Sequence, residues 1–163
     1  MKKKGKHFWK IAGISALLPL VFAILDLLGA KMWGLMGGWN GQAYALGGET
    51  YLSFFWIFAY IIIGVIALVY YLTTKDKSES LALILIPYTL LQFGVEDVLF
   101  YFIGGHAFWT TQMPWLTWNL IPPTIISFIL FSPVVFGIGL FISALLGIFV
   151  TYKIALWLYH QKW

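Results

Sequence analysis

Apolar positions along this chain cluster into long runs rather than alternating with polar ones. A helix needs about 20 mainly apolar residues to cross the hydrocarbon of a bilayer. Four stretches meet that length: about 11–30, 51–72, 81–103 and 134–152, the last continuing as an amphipathic end towards Trp157. The pattern therefore predicts an all-α integral membrane protein. Its core is a four-transmembrane-helix bundle forming one domain over 1–163. Between the third and fourth spans, 106–132 carries no charged residue and includes Pro114, Pro122 and Pro123. Its apolar part, 121–131, is too short to span alone, so an interfacial or re-entrant segment is expected. A fifth span built on 118–131 is the alternative, and it would move the C-terminus to the other side.

Composition supports a lipid surround. Only 10% of residues are charged, against about 25% in a soluble domain, too few to cover a water-facing surface. The first span follows a basic start, as a secretory signal would. Asp26 interrupts its end, however, and Leu28 is a poor residue for the position three before a cut at Ala30, so an uncleaved anchor is expected.

Lysine placement sets the orientation. Lys2, Lys3, Lys4, Lys6 and Lys10 precede span one, Lys75 and Lys77 separate spans two and three, and Lys153 and Lys162 follow span four. Only Lys31 falls on the opposite side. The positive-inside rule then places both termini in the cytoplasm, with the plasma membrane the expected location. Aromatic residues fall near the span ends. Trp33, Trp39, Tyr44, Trp109, Trp115 and Trp118 lie in the outer connections, and Phe8, Trp9, Tyr70, Tyr71, Tyr152 and Trp157 near the inner ends. These are read as interfacial belts.

Several chemistries drop out on residue type. The chain has no cysteine, which removes disulfides and thiolate sites, and no arginine, which removes bidentate guanidinium clamps. The histidines, His7, His106 and His160, all lie outside the middle of a span, against a bis-histidine haem. No nucleophile motif surrounds Ser127 or Ser132. The net charge of +4 is explained by topology, and no nucleic-acid partner, cofactor or specific metal site is called for.

Two patterns concern packing. Gly139, Ser143, Gly147 and Thr151 recur every four residues, a small-residue stripe that favours close helix contact in lipid. The partner is either another helix of the chain or a second copy, giving a homodimer through Gly139, Ser143 and Gly147. The loop over 29–48 holds seven glycines and fits no phosphate-binding or dinucleotide pattern.

The residues that demand explanation are acidic. Glu96 and Asp97 sit inside span three and Asp26 near the outer end of span one. A charge at bilayer depth costs about 2.5–3.5 kcal/mol on insertion scales. No lysine lies mid-span to neutralise them. At 1.5 Å per residue, Glu96 is about 10 Å and Asp26 about 6 Å from the outer ends of their spans. Glu49 opens span two on the same side. Asp26, Glu49, Glu96 and Asp97 are thus expected to surround one outward-facing cavity. Gln92, one turn before Glu96, is expected to hydrogen-bond it; Tyr88 continues that face, and Tyr101 and His106 complete the mouth. Glu96 and Asp97 should titrate as a coupled pair. The plainer account makes Glu96 a protonated packing contact and leaves Asp26 and Glu49 in interfacial water.

Three functions suit such a site. Ligand binding or transport leads, with an acidic, aromatic-walled cavity attracting a cation, a proton or a small amphipathic amine. The second is a membrane-embedded acid/base isomerase or cyclase, with Glu96 and Asp97 dividing the acid and base roles. The third is an accessory subunit of a membrane complex. Gly94-Val95-Glu96-Asp97-Val98-Leu99-Phe100-Tyr101 resembles the acidic motif of the small membrane lycopene cyclases, in which a proline, a variable residue and two acids precede an apolar aromatic run. Gly94 stands where that family has proline. Asp26 with Gly29 and Trp33 is loosely similar to another stretch of the same family. The likeness is confined to these residues. It implies Glu96 and Asp97 as acid/base groups and an isoprenoid-like lipid as substrate.

Overall fold

The computed structural model describes residues 2–32, 49–104, 121–130 and 137–161. These residues form six helices and, among them, no strand: α1 (Lys2–Met32), α2 (Glu49–Thr74), α3 (Lys77–Gln92), α4 (Val95–Gly104), α5 (Ile121–Leu130) and α6 (Gly137–His160). The apolar runs become helices because only intrahelical hydrogen bonding satisfies the backbone without water. Three of them are long and apolar enough to cross a membrane, over Gly5–Leu28, Trp56–Thr74 and Gly137–His160. The pair α3 and α4 makes a fourth if its two halves form one span. The protein is thus an all-α chain with membrane-spanning character. The last helix runs to His160, beyond the end at about 152 read from the apolar run.

One feature departs from four straight spans. The apolar stretch over 81–103 is not continuous: α3 and α4 meet at an angle of 63°. Gly94 sits at the break with φ 76°, a left-handed conformation that a side chain disfavours. Its N–H bonds to the Leu91 carbonyl at 2.9 Å, closing α3, while its own carbonyl accepts from Val98 N–H at 3.1 Å, opening α4. One residue therefore caps both helices. At the other end of α3, the Asp76 carboxylate accepts from the Glu79 N–H at 3.0 Å, an N-cap that fixes where the helix begins.

The core is built on α1, α3, α4 and α6. Helix α3 packs against α1, α2 and α6, α4 against α1 and α6, and α5 against α6. Near the chain's start, Phe8, Ala12, Ala82, Ile86, Leu90, Ala155 and Leu158 interlock. A second cluster joins Ala23, Leu27, Val98, Phe100, Tyr101, Leu140 and Ala144. Helix α2 is held through Ala59 and Ile63 against Phe22 and Leu91. Its other faces are bare: Phe58 is 62% exposed, with Ile57, Ile61, Val65, Leu68 and Leu72 beside it. Such a surface suits acyl chains and not water. Phe8, placed with the interfacial belt on sequence grounds, is instead core, 4% exposed. Of the other belt residues at this end, Trp9, Tyr152 and Trp157 are exposed, while Tyr70 and Tyr71 are partly buried.

Contacts gather the lysine-bearing helix ends together. His7 of α1 and Tyr70 of α2 both reach Glu79 of α3. Tyr159 of α6 packs on Phe8 and Trp9 of α1. The start of α1, the end of α2, the start of α3 and the end of α6 thus share one end of the bundle.

The small-residue stripe is consumed inside the chain. Gly139, Ser143, Gly147 and Thr151 are all buried. A Cβ built on Gly147 would stand 2.4 Å from the Phe93 Cβ, so α6 presses directly on the break between α3 and α4. Of the two partners expected for this face, the structure shows the one within the chain. Helix α5, at ten residues, is about 15 Å long and cannot span by itself.

Candidate functional site

The break between α3 and α4 delivers the acids. With Gly94 opening α4, Glu96 and Asp97 lie in its first turn. There the backbone N–H groups lack intrahelical partners and the positive end of the helix dipole favours negative charge. This setting differs from mid-span carboxyls on a continuous helix.

Glu96 is 2% exposed and Asp97 half-buried. Glu96 Oε1 and Asp97 Oδ2 are both buried without a hydrogen-bond partner. Asp26, buried on α1, lies within electrostatic range of both. Packing explains the meeting: Ala23 and Leu27, on either side of Asp26 along α1, share a core cluster with Val98, Phe100 and Tyr101 of α4. Three of the four acids grouped by depth are thus brought together. Glu49 begins α2, but its side chain lies outside the described residues, as does the whole of His106. Tyr101 is buried beside the acids on α4, with its ring against Phe100 at 5.5 Å.

Gln92 does not follow the expected geometry. The helix ends between it and Glu96, so the spacing of one turn no longer places the two on a common face. Its Nε2 instead donates to the Tyr60 hydroxyl of α2 at 2.5 Å. Tyr60 is a site neighbour that sequence reasoning missed. It lies within electrostatic range of Asp97 and Glu96, and its ring contacts Tyr88 at 5.4 Å and Trp56 at 5.9 Å. A signal existed: Tyr60 sits mid-span, where a phenol needs a hydrogen-bond partner. Ser143 was also read only as packing. It lies one turn of α6 before Gly147, which abuts Phe93. Its hydroxyl is fully buried and unpartnered.

A second polar cluster escaped the sequence reading altogether. Glu79, 5% exposed, accepts from the Tyr70 hydroxyl and pairs with His7 Nδ1 at 2.8 Å. Its role is structural, since it ties three helices at one end. Every partner of this acid is in place, whereas Glu96 and Asp97 keep buried oxygens without one. Among the described residues, no group of three histidine, cysteine, aspartate or glutamate side chains has the spacing to hold a metal ion.

No protein family, no curated protein and no solved structure matches the chain.

Proposed function

We propose that the protein binds a cation inside the membrane and exchanges it across the bilayer, with Asp26, Glu96 and Asp97 as the site. The cation is a proton, a monovalent ion or a small organic amine. The observation that carries this reading is the pair of buried, unpartnered carboxyl oxygens on Glu96 and Asp97, beside Asp26. A buried group without a partner costs about 1–3 kcal/mol, and more when charged. Such a cost is retained where a ligand offsets it. With the lysine-bearing ends in the cytoplasm, the acids lie in the outer half of a plasma-membrane bundle and load from outside.

Reconstituted liposomes enclosing a pH-sensitive dye test the proposal. An inward gradient of sodium or of tetraethylammonium should drive dye-reported proton exit through the wild type. Glu96→Gln should abolish it and Asp26→Asn should reduce it. Equal fluxes in wild type and Glu96→Gln remove this site from any transport role.

A second reading is acid/base catalysis on an isoprenoid-like lipid. It is supported by the unequal burial of two adjacent acids and by the resemblance of 94–101 to the lycopene cyclase motif. One acid in its protonated form would donate to an alkene while the other removes a proton elsewhere. Incubating the protein with a linear polyene in deuterated buffer should then place a solvent deuteron in a rearranged product. Recovery of undeuterated, unrearranged polyene sinks this reading.

A further inference from the structure

A second site lies at the lysine-bearing end, far from the acids. Gly5, Lys6, Trp9 and Lys10 of α1 and Tyr159 of α6 line an open groove of about 560 Å³. We propose that this groove binds the headgroup of an acidic phospholipid.

The groove is built, and not merely a basic surface. Tyr159 is wedged between rings, 5.6 Å from Phe8 and 5.8 Å from Trp9, and Phe8 is anchored in the core. Gly5 lets it approach: a Cβ there would lie 2.9 Å from the Tyr159 hydroxyl. The phenol is thus pinned over the first turns of α1. Lys6 and Lys10, one helical turn apart, stand on the same face about 6 Å along the axis, and both are exposed.

Charge selects an anion. Among the described residues, no carboxylate lines the groove. Glu79, the acid linked to this end of α1, is bonded by His7 and Tyr70. Among the described residues, Lys6 and Lys10 thus face no acid in the groove, and Lys2, Lys3 and Lys4 precede them. Lysine binds phosphate as a point charge, and here no arginine competes for that role.

Position selects a lipid over a dissolved phosphate. The groove is at the start of the Gly5–Leu28 span, at interfacial depth. Below Lys10 along α1, Ile14, Leu17 and Val21 are 57%, 58% and 46% exposed, a continuous apolar track for the acyl chains of the same molecule. Trp9, 40% exposed, lies at the headgroup level, where indole rings settle.

Trp9 supplies the readout. The protein is reconstituted with brominated phosphatidylglycerol or brominated phosphatidylcholine at matched mole fractions. Fluorescence quenching at Trp9 is taken as the difference between wild type and Trp9→Phe. At about 1 kcal/mol per lysine, half-saturation should need on the order of thirtyfold less of the anionic lipid. Lys6→Gln with Lys10→Gln should erase that preference, and Gly5→Ala, which displaces Tyr159, should weaken it with both lysines intact. Lys3→Gln with Lys4→Gln should leave it in place. Equal quenching by the two lipids overturns the proposal. So does an equal loss from the Lys3 and Lys4 pair, which would mean diffuse attraction. Displacement by excess glycerol phosphate at constant ionic strength would assign the groove to a soluble phosphate and also overturn it.

Discussion

Replacing Gly147 by alanine puts the packing of the site under direct strain. The new Cβ would lie 2.4 Å from Phe93 Cβ and 2.8 Å from its Cγ, where side-chain contacts essentially never fall below 3.0 Å. To reach ordinary contact at 3.4 Å, α6 and the break between α3 and α4 must part by about 1 Å. The nearest Phe93 atom is Cβ, which no rotamer change can move, so the backbone has to give. Overpacking of this kind costs about 1–3 kcal/mol. Against it stands the helix-propensity gain of alanine over glycine, about 1 kcal/mol. The expected net loss is about 0–2 kcal/mol. Gly64→Ala is the control, because nothing lies within 4 Å of its added carbon and only the propensity gain remains. Unfolding in mixed micelles titrated with denaturing detergent should therefore place the two variants on opposite sides of the wild type. Phe93→Ala should not rescue Gly147→Ala, since alanine keeps the offending Cβ. If Gly147→Ala proves as stable as Gly64→Ala, α6 does not press on this break as described, and the site's geometry loses its support.

Other expectations follow from single contacts. Gly94→Ala forces a side chain into φ 76° and should cost about 1–2 kcal/mol in the same detergent titration; no loss would mean that the break is not held at this residue. Glu96→Met replaces a buried acid bearing an unpartnered oxygen by an apolar chain of similar length. It should stabilise the fold by about 1–3 kcal/mol while cation exchange disappears, and destabilisation would make Glu96 structural. Tyr60→Phe and Gln92→Leu each remove the one described contact between those residues. A double-mutant cycle should return about 0.6 kcal/mol, the average for hydrogen bonds in membranes, and zero coupling would deny the bond. His7→Ala takes one partner from buried Glu79 and should cost about 1 kcal/mol in thermal unfolding, less if Tyr70 alone suffices to hold the acid.

The apolar runs determined the membrane-spanning character and the helical class by themselves. Length against bilayer thickness leaves little choice of structure, and a backbone in lipid must hydrogen-bond internally. The anomalous acids were equally legible, because a carboxyl inside an apolar run stands out regardless of fold, and so was the closeness of Asp26 to Glu96 and Asp97, which depth along two spans already suggested. The small-residue stripe announced a close contact but not its partner, since four-residue spacing describes one helix and is silent on what meets it. Tertiary structure decided that Phe93 meets Gly147. It also decided that a single glycine between Phe93 and Val95 ends one helix and begins another, which hydropathy cannot register because both halves are apolar. That break turned Gln92 away from Glu96 and towards Tyr60 on another helix. Glu79 illustrates the same limit: in the chain it is one more acid in a charged connection, and only the meeting of three helix ends gives it His7 and Tyr70.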